Sequence, residues 1–188
     1  MTPSRPFHNI ALIGFMGVGK STVGALVASL LHFDLVDTDK VIEERAGRRV
    51  AEIFATEGEA AFRLAESALV RELESSRGKV IATGGGLPMN PTNFSSLQRH
   101  AFIVCLWASV DTIYQRVRHQ SHRPLLHTAD PMARITDLLA QRGPVYRQAD
   151  LLIGVDFRAP IESARQIVTA FPGGHRSTLS QHGVARAD

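Results

Sequence analysis

This chain carries a single cysteine, Cys105, among its 188 residues. No internal disulfide can form, and a zinc site built on several cysteines is excluded. Long apolar stretches are missing too. The longest unbroken one, residues 101–108, is under half of what a membrane span requires, so no membrane association is expected. Residues 10–18 behind Arg5 have the apolarity of a leader core, but they carry glycines and run straight into Gly-Lys-Ser. A cytoplasmic protein is therefore expected. Lysine is also scarce. Of 21 basic residues only Lys20, Lys40 and Lys79 are lysine. The planar arginine fork matches carboxylate and phosphate oxygens, which suits small anionic ligands. Genomic base composition accounts for the bulk of the arginine count. The arginines are spread from Arg5 to Arg186 with no basic block, so a nucleic-acid partner is not indicated.

What is present is ordinary for a globular domain: 44% hydrophobic and 21% charged residues with a net charge of +3. The length suits one domain. That domain is expected over residues 1–171, with 1–6 as a loose lead-in. Residues 172–188, with Gly173, Gly174 and Gly183 and few apolar side chains, read as a disordered tail. Between them apolar runs alternate with helical periodicity. Strands are expected over residues 7–15, 33–36, 79–82, 101–106 and 151–155. Helices are expected over 21–31, 59–76, 109–118 with Ser109 as cap, 132–141, and from Pro160 onward. Strands alternating with helices give an α/β protein with a parallel sheet covered on both faces.

Gly14-Phe15-Met16-Gly17-Val18-Gly19-Lys20-Ser21 fits the G-x-x-x-x-G-K-[ST] pattern between an expected strand and helix. Such a loop turns backbone N–H groups around phosphate oxygens at a helix N-terminus. Lys20, expected to be solvated before nucleotide binds, would reach the β- and γ-phosphates, and the Ser21 hydroxyl would ligate Mg²⁺. Neither Lys40 nor Lys79 sits in an Asn-Lys-x-Asp element, which argues against a guanine-specific switch. A motor ATPase needs a larger chain. Asp37-Thr38-Asp39 follows the second strand, at the carboxyl end of the sheet where ligands of open α/β folds gather. Two carboxylates on an extended segment would point the same way, and the alternative is a turn with Asp39 as a helix N-cap. Thr83-Gly84-Gly85-Gly86 allows a close backbone approach. Arg63 has Glu59 at i−4 and Glu66 at i+3, which alone reads as a solvated ion-pair ladder. His119, His122 and His127 lie with Arg123 in a polar stretch without metal-ligand spacing.

The ordered set resembles the shikimate kinase family over residues 9–171. The resemblance rests on GFMGVGKST, DTDKVIEERAGRRVAEIFATEGEAAFR, IATGGG, the arginine-proline pair in HRPLL, and RGPVYR. It implies a three-layer P-loop kinase fold with a five-stranded parallel sheet in order 2-3-1-4-5. It also implies ATP and Mg²⁺ as cosubstrates, phosphorylation of the shikimate 3-hydroxyl, and a monomer. By resemblance Gly14, Gly17, Val18, Gly19, Lys20, Ser21 and Thr22 hold nucleotide, with Asp37 in the metal's outer shell beside Ser21. Asp39 meets the substrate hydroxyls and accepts the proton. Arg63 and Arg142 grip the shikimate carboxylate, and Gly84, Gly85 and Gly86 complete the pocket. Arg123 is the lid arginine that closes on the phosphates, Arg116 flanks adenine, and Arg158 lies in the stretch 157–160 that matches the adenine loop. Phe54 and Phe62 match pocket walls, where periodicity alone places them in a core. Gly143 and Val145 loosen the family's arginine-x-proline-leucine-tyrosine pattern, while Arg142, Pro144 and Tyr146 remain. His119 and His122 stand where the family more often has acidic or small residues. Two rivals share the scaffold: another small-molecule kinase, for gluconate or a nucleotide, and a nucleotide-binding regulatory module. The second would need Lys20 and Ser21 but not Asp39, Arg63 and Arg142.

Overall fold

The computed structural model describes residues 7–118 and 130–172. Apolar residues without breakers form the strands β1 (Asn9–Ile13), β2 (Asp34–Asp37), β3 (Lys79–Ala82), β4 (Ala101–Trp107) and β5 (Leu151–Gly154). They pair in parallel in the order β2-β3-β1-β4-β5. Successive side chains of a strand point to opposite faces, so the central strands supply two cores. Ile10, Leu12, Val104 and Leu106 pack on one face, against Val23 and Val27 of α1 (Lys20–Leu31) and Ile167. Ala11, Ile13, Ile103 and Cys105 pack on the other, with Phe62, Leu69, Phe94 and Leu97. Burial on both faces is why β1 and β4 read as unbroken apolar runs.

The remaining helices are α2 (Thr38–Ala46), α3 (Val50–Thr56), α4 (Gly58–Leu73), α5 (Pro91–His100), α6 (Val110–Val117), α7 (Pro131–Tyr146) and α8 (Pro160–Ala170), with a 3₁₀ turn at Leu87–Met89. Several boundaries differ from the sequence expectation. The first strand ends at Ile13, because Gly14 turns into the phosphate loop with a φ of 135°. The long helix stops at Leu73 rather than at 76. The α7 helix continues past Gly143 and Pro144 to Tyr146. Pro144 gives up one i−4 hydrogen bond there, and the last turn still packs Tyr146 fully into the core. The α3 and α5 helices have no counterpart in the sequence expectation, and α2 has only the expected cap at Asp39, a role that falls to Asp37. Ser109 does cap α6, accepting from the Thr112 amide at 3.2 Å, and Pro160 does open α8.

Opposite the phosphate loop, Asn9 fastens the other end of the sheet. It is fully buried. Its amide donates to Ser76 O at 2.8 Å and meets His100 Nδ1 at 3.0 Å, while its oxygen accepts from Lys79 N at 3.0 Å. Asn9→Ala leaves Ser76 O and Lys79 N, both partly buried, without this partner, at about 1–3 kcal/mol each. Urea unfolding should show a loss of roughly 2–4 kcal/mol, with turnover at the distant site unchanged. A loss under about 0.5 kcal/mol would mean that water replaces the side chain.

Candidate active site

The loop after β1 and the loop after β3 leave the sheet side by side, since Leu12 pairs with Ala82. Thr83 ties them by donating its N–H at 3.1 Å and its hydroxyl at 3.0 Å to Leu12 O. In the first loop Gly14 is obligatory. A Cβ there would lie 2.3 Å from Leu106 O, and its φ is strongly positive. Gly17 and Gly19 also hold positive φ, and Gly19 caps α1. Val18 turns its side chain into the core, so only its backbone can face a ligand. Ser21 and Thr22 are exposed at the start of α1.

Lys20 does not follow the expectation of a solvated lysine. It is 9% exposed, and its ammonium donates to Gly14 O at 2.9 Å and Phe15 O at 2.8 Å. An ammonium has three donors, and loop carbonyls take two of them. The aspartate pair also differs. Asp37 is the N-cap of α2, accepting from Lys40 N at 3.3 Å, and Asp39 lies in the first helical turn. The pair therefore sits across a strand-to-helix junction, not on an extended segment. Asp37 also accepts from the Ser21 hydroxyl at 2.6 Å. That hydroxyl and carboxylate form a hard-oxygen pair beside the phosphate loop. It suits Mg²⁺, which takes one or two protein oxygens together with substrate phosphates. Among the described residues no group of three or more His, Cys, Asp or Glu side chains forms a metal cluster.

The three glycines after β3 bring the other groups together. Gly84 N donates to Thr38 Oγ1 at 2.9 Å. A Cβ on Gly84 would lie 2.6 Å from Asp39 Oδ1 and 3.0 Å from Glu66 Oε1. A Cβ on Gly86 would lie 2.8 Å from both terminal nitrogens of Arg63. Gly85 O accepts from Arg142 Nη1 at 3.2 Å and from the Tyr146 hydroxyl at 3.0 Å. The Arg142 guanidinium also lies over the Phe15 ring, 5.4 Å from its centre, which joins α7 to the phosphate loop.

Arg63 makes both ion pairs expected of it, to Glu59 and Glu66, each at 2.8 Å. The ladder is solvated only at its Glu59 end, however. Glu66 is fully buried, Arg63 is about one-third exposed, and its guanidinium covers the Phe62 ring at 5.5 Å. Three of the five Arg63 N–H groups are engaged, leaving two for a ligand. Phe62 is core, as periodicity expected, and half-buried Phe54 packs on it with ring centres 5.0 Å apart.

Arg116 bridges the phosphate loop and the end of β5, donating to Gly17 O at 3.3 Å and Val155 O at 3.2 Å. Beside it an open recess is lined by Asp156, Phe157, Arg158, Glu162 and Gln166. The Phe157 ring is wholly exposed on a left-handed backbone, and Arg158 bonds Gln166. Arg123, His119, His122 and His127 lie outside the described residues, as do residues 1–6 and 173–188.

The family model described as shikimate kinase matches residues 16–172. The chain belongs to the shikimate kinase family. A shikimate kinase of Caldanaerobacter subterraneus subsp. tengcongensis is 44% identical over 163 residues, covering 87% of this chain and 95% of that protein. A structure described as shikimate kinase from Acinetobacter baumannii in complex with shikimate superposes with a TM-score of 0.83 at 36% identity. It covers 88% of this chain and 93% of that one. A gluconokinase from Sinorhizobium meliloti, at 17% identity and a TM-score of 0.53 over 86% of this chain and 90% of that one, shares the fold alone. Membership makes this chain an ATP-using phosphotransferase that acts on a small molecule.

Glu66 is the site residue whose place the sequence concealed. One of its oxygens takes the Arg63 bond, and Oε1 is buried without a partner beside Gly84. Burial raises its carboxyl above the ordinary value. Arg63 opposes the rise, and Asp39 and Glu59 add to it. Folding therefore favours the protonated form. The stability that this group contributes is fully present below the unfolded value near 4.5 and is lost as pH rises through the folded one. Glu66→Gln removes that loss. The Tm of the variant relative to the natural chain should climb between pH 4.5 and 7. A Tm difference independent of pH would show that pairing with Arg63 fully offsets burial.

Proposed function

We propose that this site transfers the γ-phosphoryl group of ATP to the 3-hydroxyl of shikimate, with Asp39, Arg63 and Arg142 on the acceptor and Lys20 on the phosphates. The observation that carries this reading is the convergence of Asp39, Arg63 and Arg142 on residues 84–86 beside the phosphate loop. Two guanidinium groups and one carboxylate suit a small polyol bearing a carboxylate, better than a nucleotide or an uncharged sugar. A regulatory module would have no use for that constellation.

Phosphoryl transfer depends on positioning and charge neutralisation. Lys20 exchanges its bonds to Gly14 O and Phe15 O for phosphate oxygens. Its charge is thus aimed before the ligand arrives, at little reorganisation cost. Asp39 holds the acceptor hydroxyl and takes its proton. Ser21 and Asp37 would hold Mg²⁺, which supplies charge neutralisation on the phosphates. Arg116, and Arg158 with the exposed Phe157 ring, flank the adenine, for which an open recess and an unpaired aromatic face are suited. On this reading Arg123, which lies outside the described residues, meets the charge on the phosphates. One kinase domain over residues 1–171, with a tail after it, acts as a monomer in the cytoplasm. Support comes from one continuous sheet, from a site assembled by one chain, and from a free buried Cys105. Among the described residues no helix is long and apolar enough to cross a membrane.

The test is ADP release from Mg-ATP with shikimate, gluconate and nucleoside monophosphates, on the natural chain and on arginine variants. Turnover should require shikimate. Arg63→Ala and Arg142→Ala should raise the shikimate KM by the ~2–5 kcal/mol of an unpaired buried charge, and leave the ATP KM little changed. Arg63→Lys should not rescue, since an ammonium makes no two-pronged contact. Arg123→Ala should instead lower kcat, by up to about 10³-fold. Turnover with gluconate alone, or an unchanged shikimate KM in both position-63 and position-142 variants, would reject the substrate assignment.

A further inference from the structure

Tyr146 ends α7, one helical turn after Arg142, and the mechanism above gives it no task. It is fully buried, and its ring meets the half-buried Trp107 ring edge to face at 6.4 Å. A buried phenol is held by a partner for its hydroxyl. Here the partner is Gly85 O at 3.0 Å, the same atom that accepts from Arg142 Nη1 at 3.2 Å. Residues four apart on a helix share a face, and a carbonyl oxygen has two lone pairs. One pocket carbonyl is thus filled by two donors from one face of α7. Burial pushes the Tyr146 hydroxyl up to about 12, with Arg142 opposing, so it remains a donor throughout any ordinary assay range.

The two donors differ in freedom. The Tyr146 ring is locked in the core, while Arg142 is long, half-buried and able to turn. Without the phenol, the second lone pair of Gly85 O would be unmet, and Arg142 is the donor already in reach of it. A trans peptide also fixes the Gly86 N–H opposite the Gly85 carbonyl, so whatever holds that oxygen orients the next amide of the pocket.

We propose that Tyr146 is a positioning residue of the carboxylate grip: by filling one lone pair of Gly85 O it keeps the remaining Arg142 donors turned to the ligand. This rests on the reading of Arg142 as a carboxylate ligand, and the experiment separates the two. Tyr146→Phe keeps the ring and removes the hydroxyl. The shikimate KM should rise about five- to tenfold, the effect of one neutral hydrogen bond, with kcat and the ATP KM within about twofold. Added to Arg142→Ala, the same substitution should cost nothing more, because the donor it positions is gone. A purely structural tyrosine would lower Tm without separating KM from kcat.

An unchanged shikimate KM in Tyr146→Phe would overturn the proposal and leave Arg142 its role. So would a full additional effect on top of Arg142→Ala. An unchanged KM in Arg142→Ala would remove both. Should Tyr146→Phe fail to fold, two replacements at position 146 make the same comparison. One is 4-aminophenylalanine, which keeps a donor, and the other is 4-methylphenylalanine, which keeps only the volume. A near-natural shikimate KM for the first and a raised one for the second is expected, and equal values would overturn the proposal.

Discussion

The site depends on how closely the backbone of Gly84, Gly85 and Gly86 is approached. Asp39 and Glu66 crowd the first and Arg63 the third, while a Cβ on the second would meet Arg142 and the phosphate loop at ordinary contact distance. A Cβ on Gly84 or Gly86 would push those side chains apart. Three helices, α2, α4 and α7, thereby bring Asp39, Arg63 with Glu66, and Arg142 to a single turn. That turn leaves β3 beside the phosphate loop of β1, because the two strands are neighbours in the sheet. Strand order and glycine content together put an acceptor site next to a phosphate site.

The charges around this turn are held rather than left in water. Lys20 rests on two loop carbonyls, Arg142 on Gly85 O and the Phe15 ring, and Arg63 between two glutamates. Each cation is oriented before a ligand arrives, so binding exchanges partners and orders few side chains. The cost falls on Glu66, a carboxylate kept from water with one oxygen unpartnered. A buried charge is destabilising unless fully paired. Here its position fixes Arg63 against Gly86, and the fold bears the penalty at the site.

The strands were legible because a parallel strand buried on both faces is a bare apolar run. The phosphate loop was legible because its spacing is set by backbone geometry. The α2, α3 and α5 helices were not. The α2 sequence is mostly charged, α3 spans two turns, and α5 carries few apolar residues behind the Asn90 cap and Pro91. Asp37 and Asp39 could each cap a helix by type, and the start of α2 at Thr38 makes Asp37 the cap. Glu66 read as a surface charge since nothing local says that Gly84 packs over it. The role of Arg142 beside Arg63 rests on family resemblance alone, because 78 residues of chain lie between groups that only the tertiary fold unites.

The most direct test is the affinity of Gly86→Ala for shikimate, followed by the fluorescence of Trp107, the single tryptophan. The φ of Gly86, −96°, suits alanine, and the new methyl meets only the flexible end of Arg63. Stability should therefore change by less than about 1 kcal/mol. Displacing one guanidinium from the carboxylate should weaken shikimate binding by roughly 30-fold or more, with ATP affinity within about twofold. Unchanged shikimate affinity in a folded Gly86→Ala protein would contradict the account, since Arg63 would then not need its place against that glycine.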